Sequence, residues 1–307
     1  MLKSKDISVV MQGPVMHEGV DAFPFPLTHT ALRKVRALLP DAQIILSTWE
    51  GENTSYLDSA DEVVLNPDPG AQRGAPEMIP NNVNRQIVST LGGLNKATRP
   101  HTLKIRSDIV LQSLDFVRYF ESGLRQAISE FAIFRSRIVA NNFSSRNPLI
   151  RSPAAYTFHP SDHVHFGFTE DLLKLWDIPL QPQEEAAWFD HHPRPITLRL
   201  HETSRLAPEQ YLFLSALARN GHRIELVDFA DSRPMVVEQS ESYLEGNFIF
   251  VPDRRFAIHF AKYHNFHHDK FEYLRRNSLV PPHRLRRFEI AKSHVIALGR
   301  LLTSSLH

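Results

Sequence analysis

The chain has 307 residues, of which 42% are hydrophobic and 22% are charged, and its formal net charge is +1. These values are typical of a globular protein that buries a large core, as one big domain or as two unequal ones. A charge so close to zero argues against nucleic acid as a partner of the chain as a whole. The absence of cysteine excludes a disulfide framework, a thiolate nucleophile and a cysteine zinc site.

The segment near the N-terminus contains a short apolar run, Ile7–Met11. This run is too short for the core of a signal peptide, and no small-residue cleavage site follows it. No stretch of the sequence approaches the roughly 18 apolar residues that a membrane-spanning helix requires. We therefore expect a cytoplasmic protein.

The first hundred residues alternate segments typical of strands with segments typical of helices. The predicted strands are Ile7–Met11, Gln43–Ser47, Glu62–Leu65 and Leu103–Ile105, and the predicted helices cover residues 32–39 and 83–94, the second capped by Asn81 or Asn82. Strands separated by helices predict an α/β fold with a mainly parallel central sheet flanked by helices. Such sheets bind ligands beyond the carboxyl ends of their strands.

The second half of the chain has a less regular pattern. Apolar and alternating runs predict strands over residues 131–139, 196–200 and 223–229. A short helix is predicted over Thr169–Trp176, with Thr169 as its cap. A longer helix is predicted over Ala207–Asn220, with Pro208 at its first position and Gly221 after its end.

The C-terminal segment Lys270–His307 differs from the rest of the chain in its charge, because eight Lys or Arg against two Glu give it a net charge of +6. Its final part carries apolar residues at the spacing of one helical face. A basic amphipathic helix can lie at an anionic membrane surface, or it can pack against the rest of the protein. We therefore predict a basic helical extension over residues 266–307, with peripheral membrane contact as one of its two roles.

The triplet Arg106-Ser107-Asp108 follows a predicted strand of the sheet. An acid in this position can hold Mg²⁺ or Mn²⁺, which in turn neutralises a diphosphate. The usual signature has two acids, Asp-x-Asp, and here Arg106 stands first, where it could contact phosphate directly. His259 could complete a metal site that Asp108 begins. The triplet could equally form a strand-end salt bridge or a turn cap.

Two predicted helix N-termini carry further candidate residues. The opening Asn81–Gln86 could hold anionic or ribose groups of a nucleotide through the helix dipole and its side-chain donors, or its polar residues could simply cap the helix. Glu209 lies in the first turn of the helix over Ala207–Asn220. Its carboxylate could act as a general base facing a pocket, or could only complement the helix dipole.

The segment Asp162–Gly167 places His163 and His165 on the same side of a strand or loop. Two histidines so spaced could bind a metal, line an acceptor pocket together with Asp162, or pack in the core. The short triplet Asp190-His191-His192 has no companion acidic motifs that would indicate a phosphoesterase. No P-loop, Gly-x-Gly-x-x-Gly or Gly-x-Ser-x-Gly motif is present, which argues against kinases, dinucleotide-binding enzymes and α/β-hydrolases.

An ordered set of short motifs over roughly residues 7–215 resembles the WavE family of lipopolysaccharide-synthesis proteins. The motifs are Val9-Val-Met-Gln-Gly-Pro14, Ile44-Ile-Leu-Ser-Thr-Trp-Glu50, Asn81–Gln86, Lys104-Ile-Arg-Ser-Asp108, Asp162–Gly167 and Pro208-Glu-Gln-Tyr211. The family is similar to GT-A-fold glycosyltransferases, which bind a nucleotide sugar on a single sheet. The resemblance therefore implies a GT-A-like catalytic domain over residues 1–265, with a donor half over about 1–115 and an acceptor half over about 116–265.

The resemblance also implies roles for the donor-side residues. Gln12, Gly13 and Thr48 would border the nucleobase and the ribose. Asn84 and Arg85 would lie near the nucleotide. Apart from the resemblance, Arg106 and Ser107 are candidates for binding the donor, because they follow a strand of the predicted sheet.

On the reacting side, the resemblance implies that Asp108 takes the place of the Asp-x-Asp acid. Glu209 would match the acid that opens the acceptor-side helix in many inverting GT-A enzymes. Apart from the resemblance, Asp162, His163 and His165 are candidates to line the acceptor pocket.

We therefore predict a glycosyltransferase that moves a sugar from a nucleotide-sugar donor to a bacterial surface polysaccharide, either lipopolysaccharide or capsule. The acceptor would be a glycan or a lipid-linked glycan. A divalent metal would be the cofactor of the enzyme if Asp108 binds one. A second hypothesis is a transferase of the same fold that takes a CMP-sugar as donor, at a metal-free site with a single acid. A third reading is a non-catalytic module that binds a nucleotide sugar or glycan in an assembly complex.

Overall fold

The computed structural model describes residues 2–20, 22–72, 80–126, 128–146, 156–194, 203–251 and 253–260. The strands are β1 (Ile7–Gln12), β2 (Gln43–Trp49), β3 (Glu62–Asn66), β4 (His101–Arg106), β5 (Ile109–Leu111), β6 (Ile138–Asn141), β7 (Val164–Phe168), β8 (Phe248–Val251) and β9 (Ile258–Phe260). The helices are α1 (Leu27–Leu38), α2 (Val83–Leu94), α3 (Val117–Gly123), α4 (Thr169–Trp176), α5 (Gln183–Ala186), α6 (Pro208–Arg219), α7 (Pro234–Asn247) and α8 (Asp253–Phe256).

The main sheet has the strand order β3-β2-β1-β4-β7-β6-β8. Strands β3, β2, β1 and β4 are parallel to one another, as are β6 and β8. Strand β7 runs antiparallel to both of its neighbours, β4 and β6. The predicted α/β class with a mainly parallel, helix-flanked sheet is therefore confirmed. Strands from the predicted donor half and acceptor half join in this one sheet through the β4–β7 pair.

Helices cover both faces of the sheet, so the central strands are buried on both sides. Val9 and Met11 of β1 pack in the core that contains α1 and α3, while Val10 packs in the core that contains α2, α4, α6 and α7. This explains why β1 is an unbroken apolar run rather than an alternating one. Full burial of one such side chain contributes roughly 1.5–3 kcal/mol to folding.

Two of the predicted strands differ from the structure because side chains satisfy their backbone groups. Only the end of the predicted strand over residues 131–139 is a strand, β6, which begins at Ile138. Before it, the Ile133 and Arg135 amides donate to the side chains of Asn247 and Asp171. The predicted strand over residues 223–229 is wrong, because the Arg205 guanidinium occupies the carbonyls of residues 226 and 227. The predicted strand over residues 196–200 lies outside the described residues.

The predicted helix ends are confirmed for α6 and corrected for α4. Helix α6 begins at Pro208, and after it Gly221 has a φ of 87°. The Gly221 and His222 amides donate to the carbonyls of Ala218 and Leu217, which closes the last turn. Thr169 is the first residue of α4 rather than its cap, because its hydroxyl donates to the Arg99 carbonyl.

In the part of the chain that the structure describes, no helix combines the length and the apolar character needed to cross a bilayer. The predicted extension over residues 266–307 lies outside the described residues. Its helical structure and its contact with a membrane remain predictions.

Candidate active site

A cavity of about 980 Å³ lies at the edge of the sheet where β1, β2 and β4 end. Because β7 is antiparallel, the residues that precede it reach the same edge. The first turn of α6 closes the cavity from the acceptor half. Nine of the predicted site residues line it: Gln12, Gly13, Arg85, Arg106, Ser107, Asp108, Asp162, His163 and Glu209. The sheet-edge rule therefore predicts the place of the cavity correctly.

The ends of β1 and β4 are tied together at Gly13. The Ser107 amide donates to the Gln12 carbonyl over 2.8 Å, and the Ser107 hydroxyl donates to the Pro14 carbonyl over 2.7 Å. Gly13 has a φ of 120°, and a Cβ atom added there would lie 2.8 Å from the Ser107 Oγ. Glycine is therefore required both by the backbone conformation and by the close approach of Ser107.

Gln12 and Arg85 border the cavity from β1 and α2. The Gln12 side-chain oxygen accepts a 2.6 Å hydrogen bond from the Ser89 hydroxyl. Arg85 forms a bidentate pair with Asp68, with N···O distances of 2.7 and 2.6 Å. The hydrogen bonds from Arg85 lower the pKa of Asp68, and the same bonds raise the pKa of Arg85. The guanidinium is thereby fixed beside the cavity in its charged form.

Arg106 and Asp108 form a second bidentate pair at the end of β4. The Arg106 Nε and Nη2 atoms donate to the two carboxylate oxygens of Asp108 over 2.9 and 2.7 Å. Both side chains line the cavity and are less than one-fifth exposed. A fork of this geometry orients the guanidinium and engages both oxygens of the carboxylate.

Asp162 and His163 precede β7 and form a buried acidic corner of the cavity. The His163 Nε2 lies 3.8 Å from the Asp162 Oδ1. Burial alone raises the pKa of Asp162, but interaction with His163, Lys104 and Arg106 outweighs it and lowers the pKa to about 2. Burial also lowers the pKa of His163 to about 4, so this imidazole is neutral at pH 7. Asp162 is therefore ionised at pH 7.

Lys104, which was not predicted as a site residue, lies beside this corner. It is wholly buried in β4, and its Nζ donates to the Asp162 carbonyl and lies 4.5 Å from the centre of the Trp176 ring. Burial lowers the pKa of Lys104 to about 7. The sequence does contain a signal for this residue, a lysine between the apolar residues Leu103 and Ile105 of a predicted strand. Buried lysines are rare without a partner, so this pattern indicates a residue with a special environment.

Glu209 enters the cavity from the first turn of α6. One carboxylate oxygen accepts a 3.0 Å hydrogen bond from the Ser144 hydroxyl, and the other lies 3.3 Å from the His159 Nε2. Burial and the negative charge of Asp162 raise the pKa of Glu209 to about 8. Burial lowers the pKa of His159 to about 3, so the imidazole is neutral. With this pKa, the carboxyl group of Glu209 takes up or releases a proton near neutral pH.

The backbone is strained beside both partners of Glu209. Ser144 has a φ of 68°, and Phe158, which precedes His159, has a φ of 50°. Left-handed backbone in residues other than glycine costs about 1–3 kcal/mol and is retained where the surrounding structure imposes it. Neither partner was predicted, because only the fold brings residues 144 and 159 to Glu209.

Three predicted ligand-binding residues do not line the cavity. Asn84 exchanges hydrogen bonds with the backbone of Gln181, at 2.7 and 3.1 Å, and so anchors a loop. Thr48 is wholly buried within β2, and the next residue, Trp49, lines the cavity instead. His165 is buried against Trp176, whose indole donates to its Nδ1 over 3.2 Å. The placement of these three residues is corrected accordingly.

The structure does not assemble the predicted metal site. His259 lies on β9 opposite Val110, and its ring contacts Phe23 with a centroid distance of 5.0 Å. Within the described ranges, no group of three or more His, Asp or Glu side chains could hold an ion. Since Arg106 engages both oxygens of Asp108, the residues present do not fit a divalent cation at this acid.

A family model for WavE lipopolysaccharide synthesis matches residues 7–272. The chain belongs to the WavE family. The resemblance seen in the motifs is thereby confirmed, and membership connects the chain with lipopolysaccharide synthesis. Among curated proteins, none matches this WavE chain.

One solved structure similar to this WavE protein is glucosyl-3-phosphoglycerate synthase of Mycobacterium tuberculosis, in complex with Mn²⁺, UDP and glucosyl-3-phosphoglycerate. The two proteins are 14% identical, the match covers 78% of this chain and 77% of that chain, and the TM-score is 0.38. 4-Diphosphocytidyl-2C-methyl-D-erythritol synthase of Anaerococcus prevotii matches at 10% identity over 79% and 100% of the two chains, with a TM-score of 0.36. S. aureus TarS matches at 12% identity over 70% and 33%, with a TM-score of 0.36.

Proposed function

We propose that this WavE protein is a nucleotide-sugar-dependent glycosyltransferase that acts on a bacterial surface polysaccharide. The observation that carries the proposal is the composition of the cavity, where fixed guanidinium groups and a buried proton-binding carboxylate face one space. Arg85 and Arg106 supply the positive charge, and Glu209 supplies the carboxylate. Membership of a lipopolysaccharide-synthesis family supports the same conclusion.

The donor would occupy the side of the cavity formed by β1, β2 and α2. Gln12, Gly13 and Trp49 would border its nucleoside. Arg85 and Arg106 would bind its phosphates, because a guanidinium matches phosphate oxygens with parallel hydrogen bonds. Each guanidinium is held in advance by one acid, so little side-chain entropy is lost when phosphate binds.

The acceptor hydroxyl would lie between Glu209 and the donor sugar. Its oxygen would attack the anomeric carbon as the bond from that carbon to the phosphate oxygen breaks, and the phosphate would leave with the bonding electron pair. Glu209 would accept the hydroxyl proton, since a pKa of about 8 makes it a competent base near neutral pH. Asp162, with a pKa of about 2, is too weak a base for this role and would orient the hydroxyl by accepting a hydrogen bond.

A CMP-sugar is the second candidate donor, and the Arg106–Asp108 pair favours it. Only a monophosphate leaves from such a donor, so a single guanidinium can neutralise the charge that develops. A diphosphate donor would engage Arg85 as well as Arg106. The two donors therefore differ in how strongly they depend on Arg85.

A thermal-shift screen against UDP-, GDP-, CMP- and dTDP-linked sugars tests the proposal. A donor that binds the folded state raises stability by about 2.7 kcal/mol at a concentration 100 times its Kd. We expect one nucleotide class to raise the melting temperature and to lose this effect in Arg106→Gln. Arg118→Gln is the control, because Arg118 is exposed and does not line the cavity. The absence of a shift with all four classes would contradict the proposal.

A further inference from the structure

The carboxylate that would hold a metal in the proposed transferase is already occupied by a cation of the chain itself. Two nearly parallel hydrogen bonds join the Arg106 guanidinium to both oxygens of Asp108, and the pair is largely shielded from solvent. A divalent cation needs carboxylate oxygens as ligands at about 2.0–2.6 Å, the space that the guanidinium donors take here. Metal binding would therefore require this pair to separate.

The surroundings of the pair also disfavour an added cation. Lys104 lies two residues before Arg106 on β4, so strand alternation directs both side chains to the same face of the sheet. The positive charge of Arg106 contributes to the lowered pKa of Lys104, which shows that these groups interact. A dication beside Asp108 would be repelled by the Arg106 guanidinium, whereas a phosphate would be attracted to it.

We infer that Arg106 replaces the divalent cation of a metal-dependent transferase, so that the phosphate of the donor is bound and released without metal. This inference rests on the proposed function, because it requires a phosphorylated donor. Arg106 would donate to the phosphate oxygens and stabilise their charge as the sugar leaves. Asp108 is then a positioning residue that holds the fork of Arg106, and no step is assigned to a metal ion.

Restoring the missing acid gives the sharpest test of this role. In Arg106→Asp the strand ends in Asp-Ser-Asp, the two-acid arrangement typical of metal-dependent sites. We expect this variant to lose nucleotide binding in EDTA and to regain it in MnCl₂. Arg106→Gln should lose binding in both buffers by about 10- to 100-fold, the value of a charge-assisted hydrogen-bonded contact. Arg118→Asp carries the same charge change at an exposed residue away from the cavity and should behave as the wild type.

The experiment is calorimetric titration of UDP, GDP, dTDP and CMP into the full-length protein and its variants, in EDTA and in MnCl₂. A second readout, titration of MnCl₂ alone followed by the electron paramagnetic resonance signal of free Mn²⁺, needs no nucleotide. We expect the wild type to bind its nucleotide with the same Kd in both buffers and to bind no Mn²⁺, and Arg106→Asp to bind Mn²⁺.

The possible failures are distinguishable. Wild-type binding that disappears in EDTA and returns with MnCl₂ would overturn the replacement of the cation by Arg106 while leaving the proposed transferase intact. If Arg106→Gln binds nucleotide as tightly as the wild type, the replacement of the cation by Arg106 is also overturned. If the wild type binds none of the four nucleotides in either buffer, the proposed function fails, and the role of Arg106 fails with it. The comparison of buffers for the wild type remains decisive even if a variant does not fold.

Discussion

The His159 Nε2 lies 3.3 Å from one carboxylate oxygen of Glu209, while the Ser144 hydroxyl donates to the other oxygen. Because the imidazole is neutral, it adds no positive charge beside Glu209, and burial together with the negative charge of Asp162 raises the pKa of Glu209 to about 8. Ser144 and His159 thus hold the carboxylate in position, and the pKa of Glu209 lets it take up a proton near neutral pH.

The rate of sugar transfer should rise with pH. Glu209 acts as a base only when ionised, so kcat/KM should increase up to an apparent pKa of about 8 and then level off. The hydrogen bond from Ser144 lowers the pKa of Glu209, so Ser144→Ala should move the midpoint to higher pH. Initial rates across a pH series for both proteins provide the measurement. A flat profile, or a midpoint that moves downwards in Ser144→Ala, would exclude Glu209 as the base.

Stability should depend on pH through the same carboxyl group. Its pKa is about 8 in the folded protein and 4.5 in the unfolded chain, so the stabilisation by its bound proton is complete below pH 4.5 and is lost as pH rises to about 8. Relative to the wild type, Glu209→Gln should gain stability over this window, on the order of a few kcal/mol. Urea unfolding at both ends of the window measures this difference. Glu170→Gln, at an exposed acid of α4, should show a change within about 0.5 kcal/mol.

Gly13→Ala should cost more than Gly221→Ala, although both residues have positive φ. A Cβ atom at Gly221 meets open space, whereas one at Gly13 lies 2.8 Å from the Ser107 Oγ. Each substitution should cost about 1–3 kcal/mol in backbone strain, and Gly13→Ala should also weaken nucleotide binding. Removal of the clashing oxygen in Gly13→Ala/Ser107→Ala should restore part of the loss. Chemical unfolding of the four proteins measures the costs, and equal values for the two glycines would contradict the close approach.

Asn84 and Arg85 are adjacent on α2, but their substitution should affect different properties, stability for Asn84 and nucleotide binding for Arg85. Asn84→Ala leaves the buried Gln181 amide without its partner and removes one of two hydrogen bonds to the Gln181 carbonyl, which still accepts from Gln72. This should cost about 1–3 kcal/mol of stability and leave nucleotide affinity unchanged. Arg85→Gln removes a partly exposed ion pair and should change stability by less than about 1 kcal/mol while weakening nucleotide binding. Thermal unfolding and nucleotide titration of both variants provide the test, and a reversed pattern would contradict the placement of Asn84.

The first half of the fold is predictable because its signals are local. Strands β1 to β4 and helices α1 and α2 follow from apolar runs, helical spacing and turn residues, and the sheet-edge rule then locates the cavity. Helix α7 escaped prediction because its buried face contains Ser240 and Asn247 among apolar residues. The strand predicted over residues 223–229 does not form because Arg205, distant in sequence, binds that backbone.

The site was predictable to the extent that its residues follow strands or open helices. Arg106, Asp108 and Glu209 meet that condition and line the cavity. Thr48 and Asn84 also lie at the end of a predicted strand and in the opening of a helix, but their side chains do not line the cavity. The orientation of a side chain depends on packing and on partners that are distant in sequence. The partners Ser144 and His159 lie 65 and 50 positions before Glu209 in the sequence, and no short-range pattern connects them to it.

The most direct test of the account compares turnover with donor binding in Glu209→Gln. The variant keeps the shape of the side chain but cannot accept a proton, so we expect its Kd for the nucleotide sugar to match that of the wild type. Release of nucleotide from the same donor, followed in the presence of a glycan acceptor, should fall by about 10²–10⁴-fold. Calorimetry and a coupled nucleotide assay on one preparation give both numbers. Turnover by Glu209→Gln equal to that of the wild type would contradict catalysis by Glu209, and donor binding without turnover by either protein would indicate a binding module instead of a transferase.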